Sequence, residues 1–261
     1  MNILDKIIDH KKLEVSQQKL QSPIEKLADT EYYNRKTLSL YHSIQQDGST
    51  GIIAEFKRRS PSKGIINSTS SPLNVVKAYQ SAGASAISIL TDLEFFGGSN
   101  EDILSVRDNI KIPILRKEFI IDPYQIHQAK SIGADLILLI AACLTPTQVS
   151  EFASLARELS LEVLLELHDE SELAHICDEV HFVGINNRSL KTFHVDINRS
   201  IEMSKKIPAG KLKIAESGID DPATVKIFRD NGYSGFLIGE NFMKTEDPGF
   251  AIMDFIKQIN N

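Results

Sequence analysis

Residues 112–140 read IPILRKEFIIDPYQIHQAKSIGADLILLI. Two apolar runs of strand length, 112–116 and 135–140, flank a stretch that opens on Asp122-Pro123, continues as the helical segment 124–131 and closes on Gly133. A capping residue followed by proline is a good helix start, because proline lacks the N–H that has no partner there and its φ already suits a helix. A glycine just past a helix can take the left-handed conformation that ends it. Strand, helix and strand in so short a span make a crossover unit, which joins parallel strands.

The unit recurs along the chain. Apolar runs rich in Ile, Val and Leu stand at 51–55, 84–90, 112–116, 135–140, 161–166, 181–186, 212–215 and 235–238. Ser71-Pro72, Thr145-Pro146, Asp221-Pro222 and Asp247-Pro248 precede further helical stretches at 73–81, 147–159, 223–231 and 249–259, and Gly83 and Gly232 follow two of them. Such alternation predicts a parallel sheet with helices outside it. Eight repeats fit a closed α/β (β/α)₈ TIM barrel, which needs about 250 residues, better than an open sheet. Neither GxGxxG nor GxxxxGK[ST] occurs. Residues 1–45 differ from the rest: Ile3, Leu4, Ile7, Ile8 and Leu13 recur at roughly helical spacing. They predict one or two amphipathic helices ahead of the barrel. The whole chain, 1–261, is expected to be one barrel domain with this extension.

Bulk properties narrow the function. The formal charge of -6 and the pI near 5.7 offer no basic excess for a phosphate backbone, so nucleic acid is not an expected partner. Cys143 and Cys177 sit in no CxxC motif, as expected for a reducing compartment. The opening MNILDKIIDHKK is too charged for a signal-peptide core, and the longest apolar run, 136–144, is too short to span a membrane. A cytoplasmic monomer without membrane association is expected.

In such barrels chemistry sits at the C-terminal ends of the strands. There the sequence places Glu55 and Lys57 after the first run, Lys117 after the third, Glu166 after the fifth, Asn186 and Arg188 after the sixth, Glu216-Ser217-Gly218 after the seventh and Gly239-Glu240 after the eighth. A charge finishing an apolar strand is costly unless paired. Glu55, Lys57, Lys117 and Glu166 on one face form a cluster able to tune pKa values for acid–base work. Ser217, Gly218 and Gly239 are candidates for backbone contact with a phosphate. Pro61, Phe95, Phe96, Phe119 and Leu190 are placed to line an aromatic pocket. GxSxG and HExxH are absent, and His168-Asp169 has no second ligand at metal spacing. No metal and no cofactor are expected.

Several of these segments resemble the indole-3-glycerol-phosphate synthase family. IIAEFKRRSPSKG (52–64), SILTDLEFFGGS (88–99), LRKEFIIDPYQI (115–126), LLELHD (164–169), GINNRSL (184–190), AESGI (215–219) and FLIGENFM (236–243) follow in the family's order, and ILDKIIDHKKLEV resembles its N-terminal helix. The resemblance covers essentially the whole chain. It implies a cofactor-free ring closure of 1-(2-carboxyphenylamino)-1-deoxyribulose 5-phosphate, with loss of CO₂ and water, in tryptophan biosynthesis. It further implies that Lys117 acts on the substrate carbonyl, Glu166 is the base, and Glu55 and Lys57 assist. Asn186 and Arg188 would orient the substrate and its carboxylate. Ser217, Gly218 and Gly239 would hold the phosphate, while Ser60, Pro61, Phe96, Phe119 and Leu190 would line the anthranilate pocket. Glu240 departs from the Gly-Ser often found there, and is expected to turn away and offer only its N–H. The loop 58–66 is expected to be a mobile flap. The alternatives are a phosphoribosylanthranilate isomerase-like barrel, expected to use a Cys/Asp pair, and a non-catalytic phospholigand-binding barrel lacking the Lys and Glu cluster. No fused second enzyme is expected beyond the eighth helix.

Overall fold

The computed structural model describes residues 2–189 and 194–260. Eight barrel strands lie where the apolar runs predict them: β1 (Ile52–Phe56), β2 (Ala86–Leu90), β3 (Ile114–Lys117), β4 (Leu136–Ile140), β5 (Glu162–Leu167), β6 (Phe182–Asn186), β7 (Leu212–Glu216) and β8 (Gly235–Ile238). All pair in parallel and close in the order β1-β8-β7-β6-β5-β4-β3-β2. Gly51 stays outside β1: its φ is +69°, and a Cβ there would stand 2.4 Å from the Ser234 carbonyl oxygen. At the other end several strands run further than the apolar pattern, so that Lys117 and Glu216 are the last residues of β3 and β7.

Side chains alternate between the two faces of each strand. Ile53, Ala86, Leu115, Leu136, Leu138, Leu164, Phe182, Ile214 and Leu237 form one cluster inside the barrel. Their neighbours, among them Ile52, Ala54, Ile87, Ile89, Ile137 and Leu139, pack with the surrounding helices in a larger one.

The extension holds three helices rather than one or two: α1 (Ile3–Gln21), α2 (Ile24–Ala28) and α3 (Leu40–Gln45). Extended backbone at Pro23 precedes α2, and Ser39 caps α3 by accepting the His42 N–H, so two restarts divide what the apolar spacing alone merges. The outer layer comprises α4 (Pro72–Ser81), α5 (Leu93–Phe96), α6 (Asn100–Arg107), α7 (Tyr124–Ser131), α8 (Pro146–Glu158), α9 (Ile197–Ser204), α10 (Pro222–Asp230), α11 (Glu240–Met243) and α12 (Pro248–Ile259). Between β5 and β6 a 3₁₀ stretch, Glu170–His175, stands in place of a full helix. Thr145, Asp221 and Asp247 accept N–H groups of the first turns they precede, whereas Ser71 makes no side-chain cap bond. Gly83, Gly133 and Gly232 have positive φ, as their places after helices predict. Among the described residues no helix is long and apolar enough to cross a membrane.

The N-terminal end of the barrel is closed by α3, whose Leu40 and Ile44 join the interior cluster. Glu162, the first residue of β5, accepts the Leu40 N–H (2.7 Å), the Tyr41 N–H (3.3 Å) and the Ser39 hydroxyl. Asp135, fully buried just before β4, accepts Arg35 and Arg107 (both 2.6 Å) and the Leu38 and Ile114 N–H groups (both 2.8 Å). One carboxylate thus ties the extension, α6, β3 and β4 together. Asp135→Ala leaves the buried Arg107 without its anion, and urea unfolding is expected to show a loss of about 3–5 kcal/mol. A loss below about 1 kcal/mol, the ordinary effect of a point substitution, would show the network to be dispensable.

Candidate active site

The C-terminal strand ends surround a cavity of about 480 Å³. Strand register places the charges around it: Glu166 lies opposite Ile140 and Gly184, Asn186 opposite Glu216, and Lys117 opposite Leu90. Lys117 Nζ stands at the centre, 3.3 Å from Glu216 Oε2, 3.5 Å from Glu166 Oε2 and 3.8 Å from Glu55 Oε2. Glu55 also accepts from Lys57 Nζ at 2.6 Å. Asn186 Nδ2 donates to Glu166 Oε1 at 3.0 Å, and Asn186 Oδ1 accepts the Arg188 N–H at 3.0 Å. The expected four-charge cluster is therefore joined by a fifth group, Glu216. The signal for it was present, since Glu216 ends an apolar strand just as Glu166 does. His168 is a further addition: its Nε2 lies 3.0 Å from Glu166 Oε1, with 8% of the residue exposed.

The three carboxylates differ in protonation because their neighbours differ. Burial works against charge on Lys117, but Glu216, Glu166 and Glu55 outweigh it and hold the ammonium charged well above the usual lysine range. Burial likewise opposes ionisation of Glu166, yet Lys117, His168 and Asn186 hold it well below the usual carboxylate range. Lys57 and Lys117 overcome burial at Glu55 in the same direction. At Glu216 burial and the Glu166 charge act together and push the carboxyl up to about 8. The surroundings therefore favour the ionised form of Glu166 and the neutral form of Glu216, a split of the kind that lets two carboxyl groups take different acid–base roles.

Two glycines make room for this cluster. A Cβ at Gly184 would fall 2.1 Å from Glu216 Oε1, and one at Gly239 would fall 2.4 Å from Glu55 Oε1. The sequence marks Gly239 only for phosphate contact, whereas the fold also places it against Glu55. Ser217 and Gly218 both have left-handed backbone, φ +66° and +67°, and line the cavity beside Gly239. Left-handed φ costs a residue with a side chain, so the strain at Ser217 marks a backbone shape that the surroundings enforce. Asn187 helps by donating to the Ser217 carbonyl at 2.7 Å.

Ser60, Pro61, Phe96, Phe119 and Arg188 also line the cavity, the Phe96 and Phe119 rings 5.9 Å apart. Leu190 lies outside the described residues. Phe95 does not reach the cavity; it packs edge-on against His10 of α1. Glu240 does not turn away as expected: it lines the cavity and pairs with Lys63 (3.3 Å) and Arg188 (3.6 Å), two cations that draw its carboxylate inward. The loop after β1 folds as a small hairpin, Arg59–Ser60 against Gly64–Ile65, that carries Lys63. Helix α1 reaches the mouth with Ile3, Leu4 and Ile7. Neither cysteine lines this cavity, and burial pushes the Cys143 thiol up to about 12. Among the described residues no group of His, Cys, Asp or Glu is placed to hold a metal ion.

The model of the family Indole-3-glycerol phosphate synthase matches residues 4–255. The chain belongs to that family. It is 48% identical over 258 residues to the indole-3-glycerol phosphate synthase of Bacteroides thetaiotaomicron, covering 99% of both chains. With the synthase of Salinibacter ruber it shares 41% over 255 residues, covering 97% of this chain and 94% of the relative. Among solved structures, a tryptophan synthase alpha-subunit from Pyrococcus furiosus aligns with TM-score 0.61 at 16% identity, covering 80% of this chain and 97% of that one. That likeness shows the barrel fold. The family membership gives the activity: a decarboxylating carbon–carbon lyase, indole-3-glycerol phosphate synthase, of tryptophan biosynthesis.

The synthase cluster makes Gly184 a sensitive position. Gly184→Ala drives a methyl group into Glu216, and a displacement of about 1 Å at a reacting group can cost about 10²-fold in rate. Steady-state kinetics on the folded variant are expected to show a kcat loss of that order. Unchanged kcat would mean that Glu216 is free to move without consequence.

Proposed function

We propose that Lys117 and the carboxylates around it carry out the ring closure of 1-(2-carboxyphenylamino)-1-deoxyribulose 5-phosphate. The observation behind this reading is the placement of one ammonium within 3.3–3.8 Å of three carboxylates at the floor of the cavity. The ring carbon bearing the carboxylate attacks the ribulose carbonyl carbon, and negative charge develops on the carbonyl oxygen. Lys117 stabilises that charge and its proton passes to the oxygen, giving a hydroxyl. The bond to the carboxylate then breaks, CO₂ leaves, and the bonding pair restores the aromatic ring. The new hydroxyl departs as water with a proton from neutral Glu216, while ionised Glu166 takes the proton lost from the adjacent carbon. Two protons are taken up and one is released, which balances the conversion of a carboxylate to neutral CO₂.

The remaining residues position the substrate. Glu55 and Lys57 hold Lys117 and its neighbours in register, and Asn186 fixes Glu166. Arg188 meets the substrate carboxylate. Ser217, Gly218 and Gly239 offer backbone to the phosphate. Ser60, Pro61, Phe96 and Phe119 pack on the anthranilate ring, with Leu190 assigned there by the motif it belongs to. Glu240 occupies Arg188 and Lys63 until the substrate's anions displace it.

The direct test is to mix EDTA-treated protein with the substrate and follow indole fluorescence. Fluorescence is expected to grow without added metal or cofactor. Lys117→Ala is expected to lose about 10²–10⁴-fold in kcat, the usual contribution of a positioned acid, with substrate binding largely retained. Near-normal kcat in that variant would remove Lys117 from the mechanism.

A further inference from the structure

We propose that Lys11 of helix α1, outside the catalytic cluster, is a positioning residue for the aromatic side of the substrate pocket, acting through Asp92 and Glu118 on Phe96 and Phe119. The proposal rests on the reading of that pocket as the anthranilate site.

Lys11 is a lysine with 1% of its surface exposed. Its Nζ lies 3.0 Å from Asp92 Oδ2, 3.0 Å from Glu118 Oε1 and 2.8 Å from Glu14 Oε2. Burial opposes its charge, but Glu118, Asp92 and Glu14 outweigh burial and keep it charged above the ordinary lysine range. Lysines are almost never so buried unless paired, so the position demands a cation.

Each of the two barrel carboxylates it touches sets the backbone of one aromatic residue. Asp92, fully buried, caps α5 by accepting the Phe95 N–H (2.7 Å) and the Phe96 N–H (3.2 Å). Glu118, 3% exposed, accepts the Phe119 N–H at 2.8 Å with one oxygen and the Thr91 hydroxyl at 2.7 Å with the other. Thr91 in turn accepts Arg116 Nε at 3.2 Å. The Phe96 and Phe119 rings thus face each other because a single ammonium holds their two anchors together. Arg116 approaches Glu118 only to 3.9 Å and cannot replace that bridge. Without Lys11, two buried carboxylates would repel across the gap, and the loops after β2 and β3 would part. Ile3, Ile7 and Lys11 fall on one face of α1 at four-residue spacing, so the helix that covers the mouth with Ile3 and Ile7 also clamps the pocket wall.

The test is a double-mutant cycle of Lys11→Met with Phe96→Leu, reading KM and kcat for the synthase reaction and, separately, the Kd of inorganic phosphate by calorimetry. Lys11→Met is expected to raise KM by about tenfold or more while kcat falls less than about threefold and phosphate affinity holds within about twofold. Phe96→Leu alone is expected to raise KM. The double variant is expected to fall clearly short of the product of the two single effects, because Lys11 acts in part through the Phe96 ring. Multiplying effects, an unchanged KM in Lys11→Met, or an equal loss of phosphate binding would overturn the proposal. If Phe96→Leu leaves KM unchanged while the parent enzyme turns over, the pocket reading fails and the proposal with it. Should Lys11→Met not fold, Asp92→Asn keeps a capping side chain and removes one link to Lys11. It is expected to show the same KM rise and the same non-additivity with Phe96→Leu, and their absence would overturn the proposal.

Discussion

Three carboxylates converge on the ammonium of Lys117, and the rest of the site follows from how that charge is shared. A lone buried ammonium and three buried carboxylates cannot all be charged without a net negative excess in a low-dielectric cavity. Lys57 takes part of the excess at Glu55, and Asn186 and His168 support Glu166. At Glu216 burial and the neighbouring Glu166 outweigh the Lys117 contact and push the carboxyl toward its neutral form. The outcome is a cation, a carboxylate held toward its ionised form and a carboxyl held toward its neutral form within a few ångströms, on strands rather than loops. Gly184 and Gly239 belong to this arrangement as much as the charges do, since any side chain at either would fill the space two of the carboxylates occupy.

The barrel separates this arrangement from the interactions that stabilise it. At the N-terminal end, Asp135 and Glu162 satisfy backbone N–H groups and arginines and fasten the extension to the sheet. At the C-terminal end, buried charges stand in partial mutual repulsion, and Ser217 holds a left-handed backbone that a residue with a side chain adopts at a cost. Stability at one end and strain at the other is the division expected when catalytic groups sit on strand ends. The N-terminal extension reaches both ends: α3 plugs the bottom of the barrel, while α1 reaches the mouth and lodges Lys11 among the carboxylates there.

Much of this was legible in the sequence because the period of a strand is short and the start of a helix is marked. The eight runs and the Asp-Pro, Thr-Pro and Ser-Pro starts sufficed for the barrel, and motif order sufficed for the family. Long-range pairing was not legible. Nothing near Lys11 in the sequence marks its partners, Asp92 and Glu118, which only the fold brings to it. Glu240 reads as repelled by phosphate until Lys63 and Arg188 are seen beside it. Gly239 reads as a phosphate contact, yet the atom nearest its missing side chain belongs to Glu55. In each case the meaning of a residue depended on neighbours tens of positions away in the chain. Glu216 differs, for it stands at the end of an apolar strand as Glu166 does, and that place alone marks it for the cluster.

The division of labour between Glu166 and Glu216 is open to one measurement, the pH dependence of kcat/KM for the parent enzyme and for Glu216→Gln. With Glu216 as the proposed acid, which must be protonated, activity should hold through neutral pH and fall as pH rises past about 8. The glutamine variant should be slower and should lack that alkaline limb. A parent profile without a fall near pH 8, or a variant that keeps the same fall, would contradict the assignment of the acid to Glu216.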